Sequence, residues 1–253
     1  MDYLVYAYLQ GCQDAKARRV VEETAAISKV DTEVFQAAYA FAAIPARYAL
    51  ERRRWSEAAA LQVHPATFPW DRFRYAEAIL YFARAIGLAR SADPKAARIE
   101  TEKLRSVRKA LEHADGNYDW GAQVELQYLA ASAWVARAEG NNEEAVRLMR
   151  SAAELEDKTE KHPVTPGAVV PARELLGDLF MELDQPARAL PEFEATLRNL
   201  PKRFNATFGA ARAAELSGDR EKAKRRYTQL IELCADADSP RPELQNARAF
   251  LHR

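Results

Sequence analysis

Residues Ala172 to Pro201 read ARELLGDLFMELDQPARALPEFEATLRNLP. None of these side chains forms a catalytic motif, yet small, aromatic and helix-stopping residues recur in them at set intervals. With Val170 as position 1 of a unit, Gly177 is position 8, Ala189 position 20, Phe193 position 24 and Pro201 position 32. A shift of 34 residues puts Ala211 at 8, Gly218 and Asp219 at 15 and 16, Ala223 at 20 and Tyr227 at 24. Two antiparallel helices approach closely only where side chains are small, so positions 8 and 20 mark a crossing point. The aromatic at 24, one turn further on, fills the wedge between neighbouring hairpins. Proline at 32 stops the second helix, because it lacks an N–H and clashes with the preceding turn.

The spacing resembles the tetratricopeptide repeat, a helix–turn–helix unit of about 34 residues. Upstream the pattern is looser. Ala133, Gly140, Ala145, Met149 and Ala152 mark the fourth unit, Ala85, Asp93, Ala97, Thr101 and Leu104 the third, Ala46, Trp55 and Ala58 the second, and Val5, Tyr8, Ala17 and Val21 the first. All six position-20 residues, Ala17, Ala58, Ala97, Ala145, Ala189 and Ala223, are alanine. The expected fold is all-α: a right-handed α-α superhelix (solenoid) of about six hairpins plus a capping helix. The irregular units span about 1–27, 35–63, 74–112 and 126–157. A proline-containing loop at 158–169 joins them to two regular units over 170–236, and the cap covers 240–253. Ser239 is expected to N-cap that last helix, with Pro240 in its first turn. Pro45 is expected to kink or break its helix, and His64-Pro65 and Phe68-Pro69 to cut the second helix of that unit short. A non-repeating, alanine-rich helical domain is the alternative.

Composition agrees with helices. Ala, Leu, Glu and Arg dominate, and these lose little rotamer freedom in a helix. Apolar residues make up 48% and charged residues 29%, enough for a core and too apolar for disorder. Basic and acidic residues number 37 each, which argues against a dedicated nucleic-acid binder or a membrane-surface protein. The runs Arg52-Arg53-Arg54 and Lys222-Lys224-Arg225-Arg226 read as solvated faces. No apolar run reaches the ~18 residues that span a bilayer. MDYLVYAYLQ lacks a basic leader and a cleavage site, so the expected location is cytoplasmic. Cys12 and Cys234, far apart and without metal-ligand spacing, read as free reduced thiols, with a disulfide as the less favoured alternative.

Enzymatic constellations are weak. His64, His113, His162 and His252 are scattered, and no metal, nucleotide or hydrolase motif is present. The expectation is a non-enzyme that uses no cofactor and no metal. His162 lies in HPVTPG, held stiff by Pro163 and Pro166. It reads as a spacer between units, with a ligand-contacting loop as the alternative.

MDYLVYAYLQ, IPARYALERRRWSEAAAL and HPVTPGAVVPARELLGDLF resemble the C-terminal half of longer bacterial tetratricopeptide proteins of unassigned function. That resemblance implies a fold and no activity. It also implies that first helices line a concave groove. The groove residues would be Tyr6, Arg47, Phe82, Gln127, Trp134, Arg137, Glu174, Asp178, Asn205, Phe208 and Arg212. The expected function is a scaffold that holds a peptide or helix of a partner protein there. The opposing expectation is that Trp134 packs between units and that charges pair across them, Asp178 with Arg212. Because Met1 falls at position 4 of its unit, the chain is expected to be a fragment or an array that opens without a cap. Two other functions stay open: the regulatory or substrate-positioning half of a larger enzyme, and a self-associating repeat, a homodimer through the N-terminal end where Tyr3, Leu4 and Tyr6 lie.

Overall fold

The computed structural model describes residues 1–111 and 118–252, so His113 lies outside the described residues. Among the described residues the chain forms thirteen α-helices, one short 3-10 helix and no strand. It divides into two compact units. The first comprises Met1–Tyr3 and Val20–Ala172, the second Leu4–Arg19 and Arg173–Arg253.

In chain order α1 (Asp2–Gln10) and α2 (Asp14–Ala25) form a hairpin that contributes to both. The rest of the first unit holds α3 (Phe35–Glu51), α4 (Trp55–Ala59), the 3-10 turn Trp70–Arg72, α5 (Arg74–Arg90), α6 (Pro94–Leu111), α7 (Trp120–Ala138) and α8 (Asn142–Lys158). The second unit holds α9 (Ala172–Glu182, whose first residue belongs to the first unit), α10 (Pro186–Asn199), α11 (Phe204–Leu216), α12 (Arg220–Leu233) and α13 (Pro242–Leu251). Within each unit successive hairpins stack on one another, as in an α-solenoid: α5 packs on α6 and α7, α7 on α8, and α11 on both α10 and α12.

One turn recurs at six points. Cys12, Arg53, Ala92, Gly140, Asp184 and Gly218 all have positive φ, between 52° and 84°. Each lies five residues before a position-20 alanine. At each, the next residue donates its N–H to a carbonyl five back: Gln13 to Tyr8, Arg54 to Ala49, Asp93 to Leu88, Asn141 to Ala136, Gln185 to Phe180 and Asp219 to Ala214, all at 2.8–2.9 Å. This is the Schellman closure of a helix C-terminus, which consumes carbonyls the helix leaves unpaired. The same residue then opens the second helix, its carbonyl accepting from the alanine N–H in all six cases. Asn141 and Asp219 also cap with their side chains, accepting from Glu144 N and Lys222 N.

All six alanines have zero exposure, as do Ala46, Ala85, Ala133 and Ala211 at position 8 of their units. At the Phe193 wedge, a Cβ on Gly177 would lie 2.7 Å from the ring, and one on Gly209 only 2.5 Å. The ring sits between α9 and α11 because both helices lack side chains there. Gly209→Ala therefore destabilises the second unit by about 1–3 kcal/mol through overpacking, measured by urea unfolding. A stability gain from Gly209→Ala would contradict this packing.

Several expectations are corrected. Helix α3 is not broken at Pro45 but runs on to Glu51. Helix α13 begins at Pro242 rather than after Ser239, and the Ser239 hydroxyl instead donates to Asp14 at 2.7 Å. Helix α4 is only five residues long, ending before His64-Pro65 as expected. Cys12 and Cys234 are not thiols: they form a buried disulfide with Cα atoms 5.3 Å apart. Burial of both cysteines in one cluster with Phe204, Tyr227 and Leu230 brings them together. The α1–α2 hairpin is further held by the Arg241–Asp14 ion pair and by Asp238, whose carboxylate accepts from Ala15 N and Lys16 N at the start of α2.

Candidate functional site

Helices α3, α5 and α7 of the first unit each carry an aromatic residue in the first turn: Phe35, Tyr75 and Trp120. These ends converge beside the loop that follows α8. Tyr75 and Trp120 stack at 4.2 Å and 15°, and Trp120 and His162 at 5.2 Å and 22°. Phe35 approaches His162 at 4.5 Å, and Tyr118 meets the His162 ring edge-on at 4.9 Å. The result is a column of three rings with two more against it, all partly exposed. The adjoining cleft encloses about 70 Å³, lined also by Tyr39, Phe82, Gln123, Gln127, Glu156 and Lys161.

The loop is shaped by its own hydrogen bonds and by one buried cation. The His162 carbonyl accepts from Thr165 N and Thr165 Oγ1, both at 3.1 Å, and Val164 N donates to His162 Nδ1 at 3.2 Å. Arg47, with zero exposure, pairs with Asp2 at 3.0 Å and donates to the carbonyls of Ala168 and Val169 at 3.0 and 3.2 Å. Tyr3 Oη donates to Thr165 O at 2.8 Å. Burial pushes the Tyr39 phenol up to about 12, against the smaller downward pull of Arg47, so it stays a neutral donor toward Gly167 O.

Because Nδ1 accepts from Val164, the neutral His162 ring carries its proton on Nε2. Among the described residues, the His162 Nε2–H, the Trp120 Nε1–H and the Tyr75 hydroxyl have no protein acceptor. Stacking between Tyr75 and His162 covers the faces of Trp120, and the three donors are open to water. Among the described residues no group of three His, Cys, Asp or Glu could hold a metal ion.

Burial, and secondly the charge of Lys161, hold the His162 imidazole below its ordinary 6.5. The unfolded ring then binds a proton more readily than the folded one. Stability is complete above the unfolded value and falls as pH drops through it. Urea midpoints of the first unit should decline on going from neutral pH to about pH 5, and less steeply in His162→Gln. Equal declines in the two proteins would remove His162 from the effect.

Of the eleven residues expected to line a groove, only Phe82 and Gln127 line this cleft. The Gln127 side-chain oxygen is buried without a hydrogen-bond partner among the described residues. Arg47, Phe82, Trp134, Glu174 and Asn205 are buried. Trp134 packs under the Arg90 guanidinium at 4.2 Å, the between-unit alternative rather than an exposed anchor. Glu174 pairs with buried Arg203 at 2.6 Å. Arg212 pairs with Glu215, 2.7 Å away on its own helix, and not with Asp178. Arg137 donates to Asn142 Oδ1 at 3.0 Å. Phe208 lies 6.3 Å from Tyr227 between ring centroids, and Tyr6 and Asp178 are half-buried. Tyr75, Trp120, Phe35 and Tyr118 were not among the expected residues. They lie before position 1 of the repeat template, in and next to the connections between hairpins. An aromatic at a helix start was no distinguishing signal, because Trp55 opens α4 and Phe204 opens α11 as well.

No protein-family model matches the chain, and a search of curated proteins finds no match either. The fold itself defines an all-α, tightly packed protein of helical-repeat type. No helix among the described residues is long and apolar enough to cross a membrane.

Proposed function

We propose that this chain is a tetratricopeptide-type scaffold, its hairpins wound into a right-handed superhelix, that binds an extended segment of a partner protein. The observation that carries the reading is the partly exposed ring column Tyr75–Trp120–His162 beside a small cleft. Six copies of one turn and six buried alanines support the repeat type. Capture rests on shape and hydrogen bonding, with no bond chemistry. A preformed cleft suits this role, because little ordering entropy is lost on binding.

The cystine supports an oxidising compartment over the cytoplasmic one, since reducing cytosol keeps most thiols unpaired. Peptides selected from a display library on the intact chain should bind Trp120→Ala roughly 10- to 30-fold more weakly, the effect of losing an aromatic anchor. If every selected peptide binds a natively folded Trp120→Ala equally well, the cleft is not the site.

Self-association is the second reading. Met1, Tyr3 and Leu4 are about half exposed, at 48%, 52% and 50%. A concentration-independent monomer in sedimentation would dismiss it.

A further inference from the structure

We draw no further inference here: the strongest candidate, the cleft at the start of α5 and α7 with the buried acceptor Gln127 Oε1 in its lining, belongs to the site already described, and one oxygen closed to solvent, beside an exposed Lys161 and a Glu156 carboxylate that already accepts from Ala172 N, selects no class of ligand.

Discussion

Glu174→Ala should destabilise the second unit by about 3–5 kcal/mol, the cost of leaving a buried charge without its partner. Glu174 and Arg203 are 1% and 0% exposed and share two hydrogen bonds, at 2.6 and 3.1 Å. Removing the carboxylate takes from a fully buried guanidinium the ion-pair partner that offsets its charge. Removing both charges is a different experiment. Glu174→Leu combined with Arg203→Met replaces the pair by apolar side chains, and buried pairs exchanged in this way are often neutral or even stabilising. The double variant should therefore be more stable than Glu174→Ala alone. Native-state hydrogen exchange of amides in α9 and α11 reads the effect where it occurs. A single variant that loses under ~1 kcal/mol would show that water reaches Arg203, contrary to its burial. The result also bears on function: a groove residue truncated to alanine would weaken binding, whereas this one weakens folding.

Loss of the Cys12–Cys234 bond should lower stability by about 2–5 kcal/mol. The bond joins residues 222 apart, so it closes nearly the whole chain and restricts the unfolded ensemble strongly. The α1–α2 hairpin would remain docked through Arg241 and Asp14, where Arg241 also donates to Leu9 O at 3.0 Å. The expected outcome is a lower melting temperature with native helicity retained, in reductant or in the double Cys→Ser variant. Oxidised native protein should show no titratable thiol. Two titratable thiols and a melting curve indifferent to reductant would refute the bond.

Much of the fold was legible in the chain because hairpin packing depends on local quantities. A close helix crossing requires a small residue, and the two crossing positions repeat with the hairpin, so Ala189, Ala223 and Gly177 were readable from spacing alone. Phe193 was readable as a wedge for the same reason. The turns were half legible. Gly140 and Gly218 announce a positive φ, but Cys12, Arg53, Ala92 and Asp184 adopt it without glycine, held by the same hydrogen-bonded closure. Non-glycine residues reach that region only when surrounding structure over-determines it.

The site was mostly illegible. Arg47 was assigned to a groove from its place in the repeat, but its guanidinium turns inward to Asp2 and to the carbonyls after His162. Residues 45 and more than 120 positions apart meet there, and no periodicity encodes such a meeting. Tyr75, Trp120 and His162 come from two helix starts and a loop, outside the part of the unit that repeats. The cystine was likewise hidden, since spacing says nothing about two cysteines at opposite ends of a chain.

By itself the sequence determined that this chain is helical, which small residues lie at the hairpin crossings and, where glycine marks them, which residues turn the chain, because those features are set by neighbours within one repeat. Only the tertiary structure decided which charged residues are buried, that the two cysteines join, and that three rings from separate segments form one cleft. Those outcomes depend on contacts between residues far apart in the chain, for which no local pattern exists.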